Sequence, residues 1–141
     1  MALSPLTARF QGDARVAAGP GTELDAYRYL IDDHWEVLAG RTDADNDRLS
    51  LKVARANDWW FHVSGQPGSH VILSVPPGEE PSRSVLKQAA AIAAWHSKAR
   101  TGGVVTVSAT LAKFVSKPRG AKPGTVSIRR ETRFKVRPAL P

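Results

Sequence analysis

Apolar and polar positions alternate in short runs along most of this chain, and a single stretch holds a helical period. Tyr27-Arg28-Tyr29-Leu30-Ile31 and Trp35-Glu36-Val37-Leu38-Ala39 are rich in β-forming residues and flank the polar break Asp32-Asp33-His34. That pattern predicts a hairpin, with Gly40-Arg41 ending its second strand. The run from Thr42 to Asp47 has the loop chemistry that caps helices, and residues 47–54 are expected to be the short helix it caps. Residues 58–63 read as a strand. Side chains alternate faces along a strand, so Trp59, Phe61 and Val63 share one face while Asp58, Trp60 and His62 share the other. The first set is wholly apolar and should enter the core; the second is mixed and is expected to line a surface depression. Gln66-Pro67-Gly68 is a turn, and residues 69–75 read as a strand that Pro76-Pro77-Gly78 terminates.

The helical period runs from about residue 82 to 100. Val85, Leu86, Ala89, Ile92, Ala93 and His96 recur at three- and four-residue spacing around an alanine-rich core, and alanine has the highest helix propensity. Lys98 and Arg100 suit the negative end of the helix dipole and Gly102-Gly103 is a stop signal. Residues 104–108, and then 111–115, have strand character. Residues 125–128 and 133–136 look like a final hairpin. Residues 1–25 hold no apolar period and contain Gly19-Pro20-Gly21, so they read as a poorly ordered lead-in to a domain over 26–141. Many strands and one long helix, without alternation, predict an α+β fold: a mainly antiparallel mixed sheet with the helix packed on one face.

Composition adds limits. The 141 residues suit one domain, and 42% hydrophobic content argues against wholesale disorder. The absence of cysteine excludes disulfides and thiolate metal sites and fits a reducing compartment. No basic segment followed by an apolar run marks a secretory signal, and no apolar stretch approaches the roughly 20 residues of a membrane helix. The expectation is a cytoplasmic protein with no membrane partner and no cofactor.

Charge sharpens the picture once it is located. Residues 1–97 carry nine Lys/Arg and twelve Asp/Glu, whereas residues 98–141 carry eleven Lys/Arg and one acid, Glu131. The last third alone therefore holds a balance of +10, which favours a polyanionic partner over a merely solvated face. The segment from Ser116 to Gly124 places three cations among four Pro/Gly residues. A stiff loop of this kind can present Lys117, Arg119 and Lys122 to phosphates, with Arg129, Arg130 and Arg133 extending the patch. Three readings stay open for Asp58, Trp60, His62 and His70. They could form a nucleotide platform with Trp60 stacking a base, a metal site with His62, His70 and Asp58 as ligands, or a satisfied part of the core. No GxSxG elbow, Walker loop, GxGxxG or HExxH spacing supports an enzyme. The enzyme alternative is a His- or metal-dependent activity on RNA or a nucleotide.

Asp58-Trp59-Trp60-Phe61-His62-Val63 followed by Pro67-Gly68-Ser69-His70-Val71-Ile72 resembles the NFACT-R family, whose pattern has alternating Asp, Trp and His on a strand and then Pro-Gly-Ser-His. Further matches follow in order: Gly40-Arg41 with Asn46-Asp47-Arg48-Leu49, the alanine-rich helix ending in Ser97-Lys98-Ala99-Arg100, and Lys117-Pro118-Arg119-Gly120-Ala121-Lys122-Pro123-Gly124. The resemblance covers about residues 27–137. It implies an RNA-binding module whose partners are tRNA, rRNA or the ribosome, in translation or ribosome quality control. On that reading the RNA-binding residues are Arg41, Trp60, His62, His70, Lys98, Arg100, Lys117, Arg119, Lys122, Arg129, Arg130 and Arg133. The chain departs from the large multidomain members, since 141 residues leave no room for their N-terminal domain and coiled coil. The expectation is therefore RNA binding rather than tailing of stalled chains by itself.

Overall fold

Every strand pairing in the computed structural model of the protein is antiparallel, and the model describes residues 12–19 and 22–141. The strands of the main sheet are β1 (Gly12–Gly19), β2 (Thr22–Ile31), β3 (Trp35–Gly40), β4 (Trp59–Val63), β5 (Val71–Leu73), β6 (Val105–Leu111) and β9 (Thr132–Val136). Their order is β1-β2-β3-β5-β4-β6-β9, and a two-stranded ribbon pairs β7 (Val115–Ser116) with β8 (Ser127–Ile128). The β2–β3 hairpin forms as its composition predicts. Its turn puts Asp32 and Asp33 at φ 55° and 53° and closes with His34 N–H donating to the Ile31 carbonyl, a type I′ geometry that aspartate tolerates. The stretch read as an irregular lead-in differs: strands run through 12–19 and 22–31, while residues 1–11, 20 and 21 lie outside the described ones.

Among the described residues, two α-helices complete the α+β fold. α2 (Arg83–Trp95) has Ser82 as its N-cap, the Ser82 hydroxyl accepting from Val85 N–H at 3.2 Å. It is thirteen residues long, shorter than the period suggested. The chain leaves the helix at His96 because residues 96–98 find better partners in the Pro67–Gly68–Ser69 turn: Ser69 N–H donates to the His96 carbonyl, Lys98 N–H to the Pro67 carbonyl, and Gly68 bridges Ser97. α1 (Asp43–Arg48) begins earlier than expected, capped by Thr42, and runs into a π-helical turn over Leu49–Val53. The expected final hairpin does not form. β8 pairs with β7 and β9 pairs with β6, since Arg130 turns with φ 53° and carries the chain from the ribbon back to the main sheet.

The sheet is covered on both faces, and this overturns one expectation. On the α2 face, Tyr29, Ile31, Val37, Phe61, Val71 and Leu73 pack with Val85, Ala89, Ile92 and Ala93. Phe61 is buried there with Trp59 half-buried beside it, and Val63 is buried as well. On the other face, Trp60 packs with Ala26, Leu38, Leu49 and Ile72 under Val115, Val126 and Ile128 of the ribbon. Trp60 is 3% exposed. The mixed face of β4 is thus a second core instead of a surface depression, and Trp60 is not placed to stack an incoming base. Replacing Trp60 with Ala should lower unfolding free energy by about 3–5 kcal/mol, the range for a buried large aromatic; a urea titration losing under about 1 kcal/mol would contradict this packing.

Candidate nucleic-acid interface

A buried polar network sits beneath the second face and sets the geometry above it. The Trp60 indole donates to Ser50 Oγ at 2.9 Å, and the Ser50 hydroxyl meets His70 Nδ1 at 2.7 Å. Ser50 Oγ thus links the Trp60 indole to the His70 ring. The His70 backbone N–H donates to Asn46 Oδ1 at 3.0 Å. Burial, and secondarily the neighbouring His62, hold the His70 pKa down to about 4. His62 is half-buried, its ring 5.4 Å from that of His70, and burial lowers its pKa too. A neutral imidazole wired into the interior is a structural element, and the chemistry expected of His70 at a surface has no access there. Asp58 is taken up by the backbone N–H groups of Arg55 and Val75 at 2.8 Å each. The geometry therefore does not assemble His62, His70 and Asp58 as metal ligands, and among the described residues no three His, Cys, Asp or Glu side chains are grouped to hold an ion.

The basic loop is anchored from below. The Asp47 carboxylate accepts from Gly124 N–H at 3.0 Å and pairs with Lys117 Nζ at 3.1 Å. Lys117 also donates to the carbonyls of Lys122 and, at 2.9 Å, Thr125. All three ammonium protons have partners within the fold, so Lys117, expected to contact phosphate, shapes the loop instead. Gly124 has φ +85° and lies so close to Asp43 that a Cβ would approach its carboxylate to 2.8 Å, which only glycine can meet. The loop is pinned to α1 at both ends, and Arg119 and Lys122 are left exposed on it.

Beside this loop three sequence segments converge. Gly40-Arg41, Pro67-Gly68-Ser69 and Ser97-Lys98 with Arg100 line an open cleft of about 380 Å³, whose wall also includes Asp43. Gly40 is pressed onto Asn46, where a Cβ would fall 2.0 Å from Oδ1. Ser69 Oγ donates to the Gly40 carbonyl at 2.5 Å. Tyr27 and His96 form an aromatic wall, stacked at 4.4 Å and 20°. The Arg41 guanidinium lies 5.4 Å over Tyr27, and Arg100 lies 4.5 Å over Trp95 while donating to its carbonyl. Burial and the Arg100 charge press the His96 pKa down to about 4. Arg41, Lys98 and Arg100 are thus brought together. Arg129 and Arg130 sit elsewhere, around Phe114, and Arg133 pairs with Glu131 at 3.3 Å. Nothing in the sequence pattern marks the aromatic wall as part of a site: Tyr27 falls in the predicted hairpin and His96 in the helical period.

The fold and this cleft define an α+β domain with a basic, aromatic-walled groove at one end of its sheet. The NFACT protein RNA-binding domain model matches residues 26–130, and the chain belongs to that family. It is 39% identical over 112 residues to the Rqc2 homolog RqcH of Streptococcus suis, covering 79% of this chain and 20% of that protein. It is 40% identical over 91 residues to the Rqc2 homolog RqcH of Bacillus subtilis, covering 64% of this chain and 15% of that one. The chain thus spans a fifth or less of the length of these curated relatives. Its fold matches the solved C-terminal part of the fibronectin/fibrinogen-binding protein from Streptococcus suis with a TM-score of 0.74 at 39% identity, over 79% of this chain and 45% of that one.

The low histidine pKa values carry a stability consequence. His70 and His96 bind a proton in the unfolded chain near pH 6.5 but only near pH 4 when folded. Between those values the unfolded state holds more protons, so stability should fall as pH is lowered from about 6.5 towards 4. Urea midpoints measured across that interval should decline with acid, and His70→Gln should flatten the slope; an unchanged slope would contradict the buried neutral imidazole.

Proposed function

We propose that this domain binds RNA through the Arg41–Lys98–Arg100 cleft and the adjoining Arg119 and Lys122 of the anchored loop. The observation that carries the reading is the convergence of three separated segments, each supplying a cation or a backbone turn, on one open groove with an aromatic wall. Guanidinium groups can meet phosphate oxygens with paired hydrogen bonds, lysine as a point charge. Contacts of that kind give affinity without reading sequence. The Arg41 guanidinium, seated over Tyr27, offers a stacking surface for an unpaired base at the same groove. Membership of a family described as RNA-binding supports this assignment. The similarity to the RqcH relatives supports a place in translation or ribosome quality control, and on this reading the RNA bound is tRNA, rRNA or that of the ribosome. Among the described residues no helix is long and apolar enough to cross a membrane.

The test is fluorescence anisotropy of the purified chain with labelled structured and single-stranded RNA across a salt series. Neutralising four to six phosphates should give a log K against log salt slope of roughly −3 to −4 for single strands. Replacing Lys98 and Arg100 with Gln should weaken binding to all RNAs alike and make that slope shallower by about one unit. Lys117→Ala should instead lower the melting temperature, because its partners are Asp47 and two loop carbonyls. Affinity independent of salt, or undiminished in the Lys98/Arg100 variant, would remove the cleft from the assignment.

A further inference from the structure

One cluster of charge lies away from the cleft and, among the described residues, has no ion-pairing partner. Phe114 closes the 3-10 turn Ala112–Phe114 that follows β6. Around its ring stand Lys113 at 5.5 Å, Arg129 at 5.4 Å and Arg130 at 5.5 Å from the centroid. No two of these cations can then be more than about 11 Å apart, close to the Debye length of roughly 10 Å at 0.1 M salt, so they repel one another. Among the described residues no carboxylate is paired with any of them; the one acid nearby in sequence, Glu131, is engaged by Ser108 and Arg133.

The backbone holds this arrangement deliberately in place. Arg130 has φ 53°, uncommon for a residue with a side chain. Thr110, 1% exposed, donates to the Arg129 carbonyl at 2.6 Å and to the Arg130 carbonyl at 3.3 Å, and Arg129 N–H donates to the Phe114 carbonyl at 3.0 Å. The turn is thereby fixed with both guanidinium groups over one ring. An anion seated among the three would relieve their repulsion.

The position relative to the cleft matters. Lys98, which lines the cleft, also lines a recess with Val105 and Thr106 at the start of β6, whereas Phe114 lies beyond its end. A seven-residue strand spans roughly 20 Å. We infer that Lys113, Arg129 and Arg130, gathered on Phe114, form a second phosphate-binding point that takes the backbone of the same RNA strand held by the cleft, so that tight binding requires an RNA long enough to reach both. This rests on the RNA-binding reading of the cleft.

The experiment compares single-stranded RNAs of 4 and 16 nucleotides bound to the full chain. The wild-type protein should bind the 16-mer at least tenfold more tightly than the 4-mer. An Arg129→Gln, Arg130→Asn variant, in which asparagine accommodates the left-handed backbone, should bind the 16-mer at least tenfold more weakly, with its melting temperature unchanged. A charge-matched control, Lys52→Gln with Lys87→Gln, both exposed and remote in sequence, should weaken it less than threefold. Equal losses in the variant and the control, or equal affinity for both lengths, would overturn the second point while leaving the cleft intact. Failure of the wild-type chain to bind either RNA would overturn the RNA reading and this inference with it.

Discussion

Two adjacent residues of a six-residue helix hold this domain's working end together. Asn46 uses its side-chain oxygen to accept the His70 backbone N–H at the start of β5, and it fills the space against Gly40 at the end of β3. Asp47 uses its carboxylate to bind Lys117 and the Gly124 N–H of the basic loop. One residue faces the sheet, the next faces the loop, and both are fixed because Thr42 caps the helix and Leu49 is fully buried beyond it. Without this short element the ends of two strands and a loop rich in Pro and Gly would have no common reference. The polar groups involved are buried or half-buried, where a missing partner costs on the order of 1–3 kcal/mol. Among the described residues, no buried side-chain nitrogen or oxygen lacks a partner.

The family's motif residues accordingly divide into two kinds. Trp60, His70, Asn46, Asp47, Lys117 and Gly124 build the scaffold: they are buried, or bonded to one another across α1, the π-helical turn, β4, β5 and the loop. Arg41, Lys98, Arg100, Arg119 and Lys122 stand on that scaffold, at its cleft or on its loop. Lysine is the instructive case. Lys117 and Lys122 lie five residues apart in the same loop, yet the first turns inward and donates to three oxygen partners of the fold while the second is exposed. An ammonium with its donors already filled inside the fold adds rigidity to the loop, and it leaves the remaining cations preoriented toward solvent.

The strongly basic balance of residues 98–141 is distributed by the fold over separate places. Lys98 and Arg100 line the cleft, Arg129 and Arg130 gather with Lys113 at Phe114, and Arg133 pairs with Glu131 on β9. Spreading like charges limits self-repulsion in the folded state, and aromatic faces under Arg41, Arg100, Arg129 and Arg130 supply local attraction.

The sequence alone determined the β2–β3 hairpin, the strand at 59–63, the helix starting at Ser82 and the α+β class, because each rests on local periodicity and turn chemistry. It also placed the excess charge, and the ordered segments were enough to recognise the family. The tertiary structure decided which polar residues face water. Alternation along β4 separates Trp60 from Phe61 correctly, but it cannot reveal that the ribbon and the π-helical turn cover the second face, since those contacts are long-range. Propensity carries α2 to Arg100, while hydrogen bonds to the Pro67–Ser69 turn end it at Trp95. Likewise, counting charge in the 117–124 loop cannot show that one lysine belongs to Asp47, seventy residues away. Local pattern fixes elements; exposure is a property of what packs on them, and only the folded chain brings those partners together.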